Sequence, residues 1–265
     1  MAGRVDIVRE GALAWVVFDH PERRNAMSAG MWKGLVDALR ELEADEQVRV
    51  IVMRGVGESA FVSGADISQF APEKGEADAG GKSDERLDPS SGNVFELVEA
   101  ITKPVIAMIH GYCIGGGLAL ALCADMRYTA QDGVFAIPAA RLGVGYGFAA
   151  VEQLARTVGL SAAREILMSA RRYDAEEARA MGLVDRVLPK AELEGFVRDM
   201  ASRIAENAPL TVRAVKLATQ QIKQSPAERD LEAVDAAIRD CFESSDFAEG
   251  VAAFMQKRRP DFSGR

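Results

Sequence analysis

The chain has 265 residues, 48% of them hydrophobic and 27% charged, so it is long and apolar enough to bury a large core. Its 40 acidic residues outnumber its 32 basic ones and give a net charge of −8, which argues against a general nucleic-acid-binding surface because phosphates need positive charge. No apolar run is long enough to span a bilayer, and the first residues lack the pattern of a signal peptide. We therefore expect a cytoplasmic protein that binds neither nucleic acid nor membrane.

The first part of the chain predicts a β-hairpin followed by a helix. Two β-rich segments, residues 5–8 and 12–18, are separated by a turn at Gly11. Ser28 is a residue type that caps helices, and apolar residues recur at helical spacing over residues 31–42.

Apolar runs and glycine-rich turns alternate in the middle of the chain. Residues 50–53 and 105–109 are continuously apolar, which is typical of strands buried on both faces. Residues 71–92 are polar and lack an apolar period, which predicts an insertion that is either a lid beside a site or a disordered segment. Residues 111–117 carry four glycines and predict a turn that leads into a helix, and helical patterns fill most of residues 149–258.

The cysteines and histidines do not form a metal-binding pattern. Cys113, Cys123 and Cys241 lack metal-ligand spacing, so we expect reduced core thiols. His20 and His110 stand in no HxxH or HExxH sequence, which predicts no metal. We expect His110 to be a packed side chain with its polar atoms satisfied.

Two glycine-containing turns carry the clearest chemical signal. They are FVSGADI at residues 61–67 and HGYCIGGGLALAL at residues 110–122. The second offers backbone N–H groups at a helix start without a phosphate-binding lysine or GxGxxG spacing, so an anion or a developing oxyanion is the expected guest. Glycines that serve only for close packing remain the alternative.

These two motifs resemble those of the enoyl-CoA hydratase/isomerase (crotonase) superfamily, and the resemblance covers nearly the whole chain. It includes HPERRNAMS, AARLGV, AREILMSARRYDAEEARAMGLVDRVLP and EGVAAFMQKRRPDF. The resemblance implies an α/β fold: a crotonase (ClpP-like) spiral of ββα units with the acyl-CoA site over residues 1–190, and a C-terminal helical trimerisation region over residues 191–265. It also implies a homotrimer or homohexamer, and coenzyme A as part of the thioester substrate without a prosthetic group.

The resemblance also implies site residues. The backbone N–H groups of Ala65 and Gly116 correspond to the superfamily's oxyanion hole. Its coenzyme A contacts correspond to Arg23, Arg24, Ala26, Ser63, Ala65, Asp66 and Ile67, with Phe254 and Lys257 from a neighbouring subunit. Two structural alternatives stay open: Asp66 fixes its own turn by bonding backbone N–H groups, and the basic residues 257–259 only complement a helix end.

The sequence departs from the superfamily at its acid–base positions. Typical hydratases use two glutamates there, whereas this chain has Ala119 and Ala139. Alanine cannot transfer a proton, so two-glutamate water addition is not expected.

Tyr146 is the candidate catalytic side chain that remains. Its LGVGY segment and EGVAAFMQKRRPDF are similar to methylmalonyl-CoA decarboxylases, although those have histidine at the position of Ala65. A pocket wall is the alternative role for Tyr146. We expect an acyl-CoA lyase or isomerase that stabilises a thioester enolate. The alternatives are a decarboxylase-like lyase that uses Tyr146 and a catalytically silent acyl-CoA-binding protein.

Overall fold

The computed structural model describes residues 3–66 and 93–265, which form two sheets surrounded by helices. The strands are β1 (Arg4–Glu10), β2 (Leu13–Asp19), β3 (Val50–Gly55), β4 (Ala60–Val62), β5 (Val105–Ile109), β6 (Tyr112–Ile114), β7 (Met126–Ala130), β8 (Val134–Ala136) and β9 (Arg186–Leu188). The helices are α1 (Ala29–Ala44), α2 (Asn93–Ala100), α3 (Gly116–Cys123), α4 (Ala139–Leu142), α5 (Phe148–Ser169), α6 (Ala175–Ala180), α7 (Lys190–Ala205), α8 (Pro209–Lys223), α9 (Leu231–Glu243) and α10 (Ser245–Gln256). The insertion predicted at residues 71–92 lies outside the described residues.

The large sheet has the strand order β1-β2-β3-β5-β7-β9. The predicted hairpin is confirmed, because β1 and β2 pair antiparallel across a turn at Gly11, whose φ is +61°. The other pairs are parallel. The two apolar runs predicted as buried strands are β3 and β5, and β5 is buried at every residue.

Helix α1 begins as its sequence predicts. The Ser28 hydroxyl accepts a hydrogen bond from the Met31 N–H at 3.2 Å and so satisfies one of the free donors of the first turn. Met31, Leu35, Leu39 and Leu42 are fully buried and attach this helix to the main core.

The small sheet consists of the parallel strands β4, β6 and β8. The prediction of a turn at residues 111–117 that leads into a helix was wrong in part, because residues 112–114 form β6 between Gly111 and Gly115, whose φ angles are +53° and +55°. Three residues are too few to show an alternating pattern, and the partners that make β6 a strand are distant in sequence.

The C-terminal helices differ in how they contact the sheets. Leu193, Val197 and Ala201 of α7 pack against the large sheet. Helix α8 is anchored by Lys216, whose ammonium lies 2.8 Å from the carboxylate of Asp125. Helix α9 has no buried residue. The division at residue 190 stays a prediction. No helix in the described part of the chain is long and apolar enough to cross a membrane.

Candidate active site

Three turns lie together where the strands of the small sheet end. The turn that contains Ala65 follows β4, the turn that contains Gly116 follows β6, and Ala139 follows β8. Because the strands are parallel, their carboxyl ends lie at one edge of the sheet. The first two turns are in close contact: a methyl group on Gly64 would lie 3.4 Å from the Ile114 carbonyl oxygen.

A second glycine shows why this junction excludes side chains. A methyl group on Gly117 would overlap the carbonyl oxygen of Val62, a backbone atom of the neighbouring strand. Glycine is therefore required here for close approach of helix α3 to β4. The glycine run serves packing at Gly117 and leaves the backbone of Gly116 available for chemistry.

The N–H group of Ala65 is oriented by a single parallel bridge to Met27. Met27 donates to the carbonyl of Gly64 at 2.8 Å and accepts from the N–H of Asp66 at 2.9 Å. These two bonds lie on either side of Ala65, so the N–H of Ala65 itself points away from Met27. It donates to no acceptor within residues 3–66 and 93–265.

The N–H group of Gly116 is left free by its place in helix α3. Gly115 donates to the Ala136 carbonyl at 2.8 Å and accepts from the Ala119 N–H at 3.0 Å, whereas Gly116 is the first helical residue. N–H groups of the first turn have no intrahelical partner and lie at the positive end of the helix dipole. Gly116 likewise donates to no acceptor in the described part of the chain. Two backbone donors thus stand on neighbouring turns, an arrangement suited to an anionic oxygen.

The side chains around these donors provide little acid–base chemistry. Ala119 is buried in the first turns of α3, and Ala139 is partly buried at the start of α4. Tyr146 packs against the main core, and burial raises the pKa of its phenol, with smaller contributions from Cys123 and Cys113. The phenol therefore stays protonated at neutral pH.

The cysteines are free, as predicted. Cys113 and Cys123 are buried, and burial raises the pKa of the Cys123 thiol to about 12. Thiols in such apolar surroundings are not nucleophiles at neutral pH. Cys241 differs from the prediction of a core thiol, because it lies partly exposed on α9.

Several residues predicted to contact coenzyme A are joined by direct bonds. Arg23 donates to the Asp66 carboxylate at 2.7 Å, and the Ser63 hydroxyl donates to the Arg23 carbonyl at 3.0 Å. The carbonyl of Arg24 accepts a hydrogen bond from the Ser63 N–H at 3.2 Å. The guanidinium of Arg24 lies 4.5 Å from the centre of the Tyr112 ring. The loop before α1 is thereby fixed to the turn of Ala65. Ala26 is buried beside them, and its carbonyl bonds His20 Nδ1 at 2.9 Å.

The other predicted contacts are not part of this cluster. Ile67 lies outside the described residues. Phe254 is 83% exposed near the end of α10, and no hydrogen bond or ion pair within the described ranges joins it or Lys257 to the cluster. Among the neighbouring basic residues, Arg258 binds both carboxylate oxygens of Glu249, at 2.5 and 2.7 Å. Together with the Asp261 N–H, it lowers the pKa of Glu249 to about 2.

The sequence did not reveal the role of Asn25. Its side chain is fully buried, donates to the carbonyls of Ala60 and Val56, and accepts from the His20 N–H. Its φ is +57°, a conformation that asparagine tolerates better than most residues. The signal in the sequence is an asparagine two residues after the end of the short 3₁₀ helix Pro21–Arg23.

His110 matches its prediction only in being buried. Its Nδ1 finds no hydrogen-bond partner in the described ranges, and burial lowers the pKa of the imidazole.

Residues 3–66 and 93–265 contain no group of three or more His, Cys, Asp or Glu side chains placed to hold a metal ion.

Comparisons with known proteins identify the family and the fold. A family model described as enoyl-CoA hydratase/isomerase matches residues 9–265. The chain is 34% identical over 258 residues to a crotonyl-CoA hydratase of Syntrophomonas wolfei, covering 96% of this chain and 95% of the relative. It is 30% identical over 255 residues to a short-chain-enoyl-CoA hydratase of Clostridium acetobutylicum, covering 96% and 95%. A crystal structure of an enoyl-CoA hydratase/carnithine racemase from Magnetospirillum magneticum superposes with a TM-score of 0.87 at 36% identity, covering 98% of this chain and 96% of that one. The chain therefore belongs to the enoyl-CoA hydratase/isomerase family and has the crotonase fold that its motifs predicted.

Proposed function

We propose that this protein is an acyl-CoA lyase or isomerase that stabilises a thioester enolate in a hole formed by the backbone N–H groups of Ala65 and Gly116. The observation that carries the proposal is a pair of backbone N–H groups on adjacent turns of the small sheet that have no acceptor among residues 3–66 and 93–265. A thioester oxygen that gains negative charge is stabilised by preorganised donors of this kind, because they need no reorganisation during the reaction.

The proposed chemistry differs from two-glutamate hydration. Alanines at positions 119 and 139 leave no carboxylate there to activate water or protonate carbon. Tyr146 is the proposed proton donor, since its raised pKa keeps the phenol protonated. A donor fits a step in which an enolate collects a proton at carbon, as after decarboxylation. That step is the basis of the lyase alternative.

A second candidate function is a catalytically silent acyl-CoA-binding protein. The same two alanines favour it, because they remove the usual acid and base while the backbone donors remain. On this alternative, Tyr146 is a wall of the acyl pocket and its hydroxyl bonds water or backbone.

The proposed coenzyme A site combines two protomers. Arg23, Arg24, Ala26, Ser63, Asp66 and Ile67 would come from one chain, and Phe254 and Lys257 from its neighbour. The exposure of Phe254 supports a shared site, and we propose a homotrimer or homohexamer. The proposed location is the cytoplasm, where thiols are kept reduced, and the three free cysteines agree with it.

A panel of acyl-CoA thioesters tests the proposal. Binding is measured by calorimetry, and turnover is followed by chromatography of the thioester products. We expect at least one acyl-CoA to bind and to be converted. Binding of many thioesters without conversion of any would favour the silent binding protein, and the absence of all binding would contradict both candidate functions.

A further inference from the structure

Trp32 lies on α1, the helix that begins beside the turn of Ala65, and its indole contacts Gly116. On one side, its helix starts next to Met27, whose two backbone bonds enclose Ala65. On the other side, the indole lies against Gly116: a methyl group there would be 3.5 Å from Cζ2 and 3.9 Å from Cη2 of Trp32. The benzene ring of the indole therefore covers the Cα of the residue that provides the second donor.

The position of the indole is fixed by Phe95 of α2. The two rings are 5.7 Å apart between centres, at an angle of 68°, which is the edge-to-face arrangement that aromatic pairs prefer. Both side chains are partly buried and pack against the main core. The indole thus contacts Gly116 on one side and Phe95 on the other, and part of it remains exposed.

The residues on the elements that follow the small sheet are apolar at the positions that concern the acyl group. Ala119 of α3 is buried, and Ala139 and Tyr146 are partly buried and pack against the main core. An acyl chain whose thioester oxygen is held at Gly116 extends from a residue that the indole of Trp32 contacts, so the indole is placed to bound the space that the chain enters.

We propose that Trp32 is the specificity-determining wall of the acyl pocket and limits the length of the apolar acyl group that the site accepts. This inference rests on the proposed function, since it requires a thioester at Ala65 and Gly116. Each methylene group that a pocket buries strengthens binding about fourfold. Affinity should therefore rise with acyl length until the chain meets the indole, and then stop rising.

The test is a series of dissociation constants for saturated acyl-CoAs from butanoyl-CoA to dodecanoyl-CoA, measured by calorimetry. In Trp32→Ala we expect the rise to continue past the wild-type limit, by about fifteenfold for a chain that buries two further methylenes. Trp32→Leu retains more of the apolar packing and should give a smaller shift in the same direction. Free coenzyme A should bind wild type and both variants equally.

Val36→Ala is the matched control. Val36 lies one turn farther along α1 and packs against the same core, so its loss tests packing of the helix without opening the proposed pocket. Its acyl-length profile should equal that of wild type. If wild type and folded Trp32 variants bind acyl-CoAs with superimposable profiles, this inference is overturned and the proposed function stands. If wild type binds no acyl-CoA, both are overturned.

Discussion

The turns of the small sheet are enclosed by their own chain, whereas helices α8, α9 and α10 leave much of their apolar surface uncovered. Val62 and Gly117 are buried beside the candidate site. By contrast, Ile222, Phe242 and Phe254 are each at least 64% exposed. Exposed apolar surface of this extent is typical of a surface that another molecule covers.

The two regions differ in whether one chain is enough to complete them. The proposed oxyanion hole consists of backbone atoms whose positions follow from strand pairing and helix start, so it is complete within one chain. In the proposed homotrimer or homohexamer, another protomer buries the apolar faces of the C-terminal helices. Predictions for the first region therefore concern backbone donors, and predictions for the second concern association.

The largest expected effect is the loss of one backbone donor. Gly116→Pro removes the N–H group, and the first position of a helix is where proline is best tolerated. Turnover of the best acyl-CoA substrate should fall by about 10²–10³-fold, the typical effect of removing one oxyanion donor. Gly116→Ala keeps the donor, and its methyl would make an ordinary 3.5 Å contact with Trp32, so it should retain most activity. Equal losses in the two variants would mean that the donor is not used.

The next effect follows from the two alanines near the site. Hydration of crotonyl-CoA should be slower than in a two-glutamate hydratase by about 10²-fold or more, because one general acid–base contribution or more is missing. The absorbance of the enoyl thioester measures this rate. Ala119→Glu combined with Ala139→Glu should raise any residual hydration. Rapid hydration by the natural sequence would contradict the proposed chemistry.

Removing a single side-chain donor should have a smaller effect. Tyr146→Phe keeps the ring and deletes the hydroxyl. Turnover should fall at least tenfold, which corresponds to a rise of about 1.4 kcal/mol in the activation free energy. The affinity for coenzyme A should not change. Since burial raises the pKa of Tyr146, the phenol keeps its proton as pH rises. Turnover that depends on this proton should therefore continue to above pH ~10 in wild type. Unchanged turnover in the variant would assign Tyr146 to packing.

The smallest change concerns assembly: the molar mass of the proposed trimer or hexamer is three or six times that of the monomer. Light scattering at micromolar concentration should give a trimer or hexamer for the natural protein. Phe242→Asp, which places a charge on the exposed face of α9, should shift it towards a monomer, whereas the exposed Lys33→Asp on α1 should not. A monomeric natural protein would refute the proposed assembly and the shared coenzyme A site.

Local sequence patterns predicted the elements that have strong local signals. The hairpin, the capped helix α1 and the buried strands β3 and β5 follow from turn chemistry, a capping serine and long apolar runs. The strand β6 did not, because three residues between glycines become a strand only through pairing with β4 and β8. Family motifs supplied the candidate donors Ala65 and Gly116, which no side-chain pattern marks.

Contacts between distant segments set the limit of the sequence prediction. The approach of Trp32 to Gly116 depends on how α1 packs beside α3, and a single sequence contains no local sign of it. The anchoring of α8 by Lys216 is similar: the ammonium bonds Asp125 and the Lys103 carbonyl, each at 2.8 Å. Lys103 and Asp125 are both far from Lys216 in sequence, so helix or strand periodicity does not reveal either contact.

A crystal structure of the protein with a bound acyl-CoA tests the central claim most directly. We predict that the thioester oxygen lies about 3 Å from the backbone nitrogens of both Ala65 and Gly116. A well-ordered complex in which that oxygen binds elsewhere would contradict the proposed oxyanion hole.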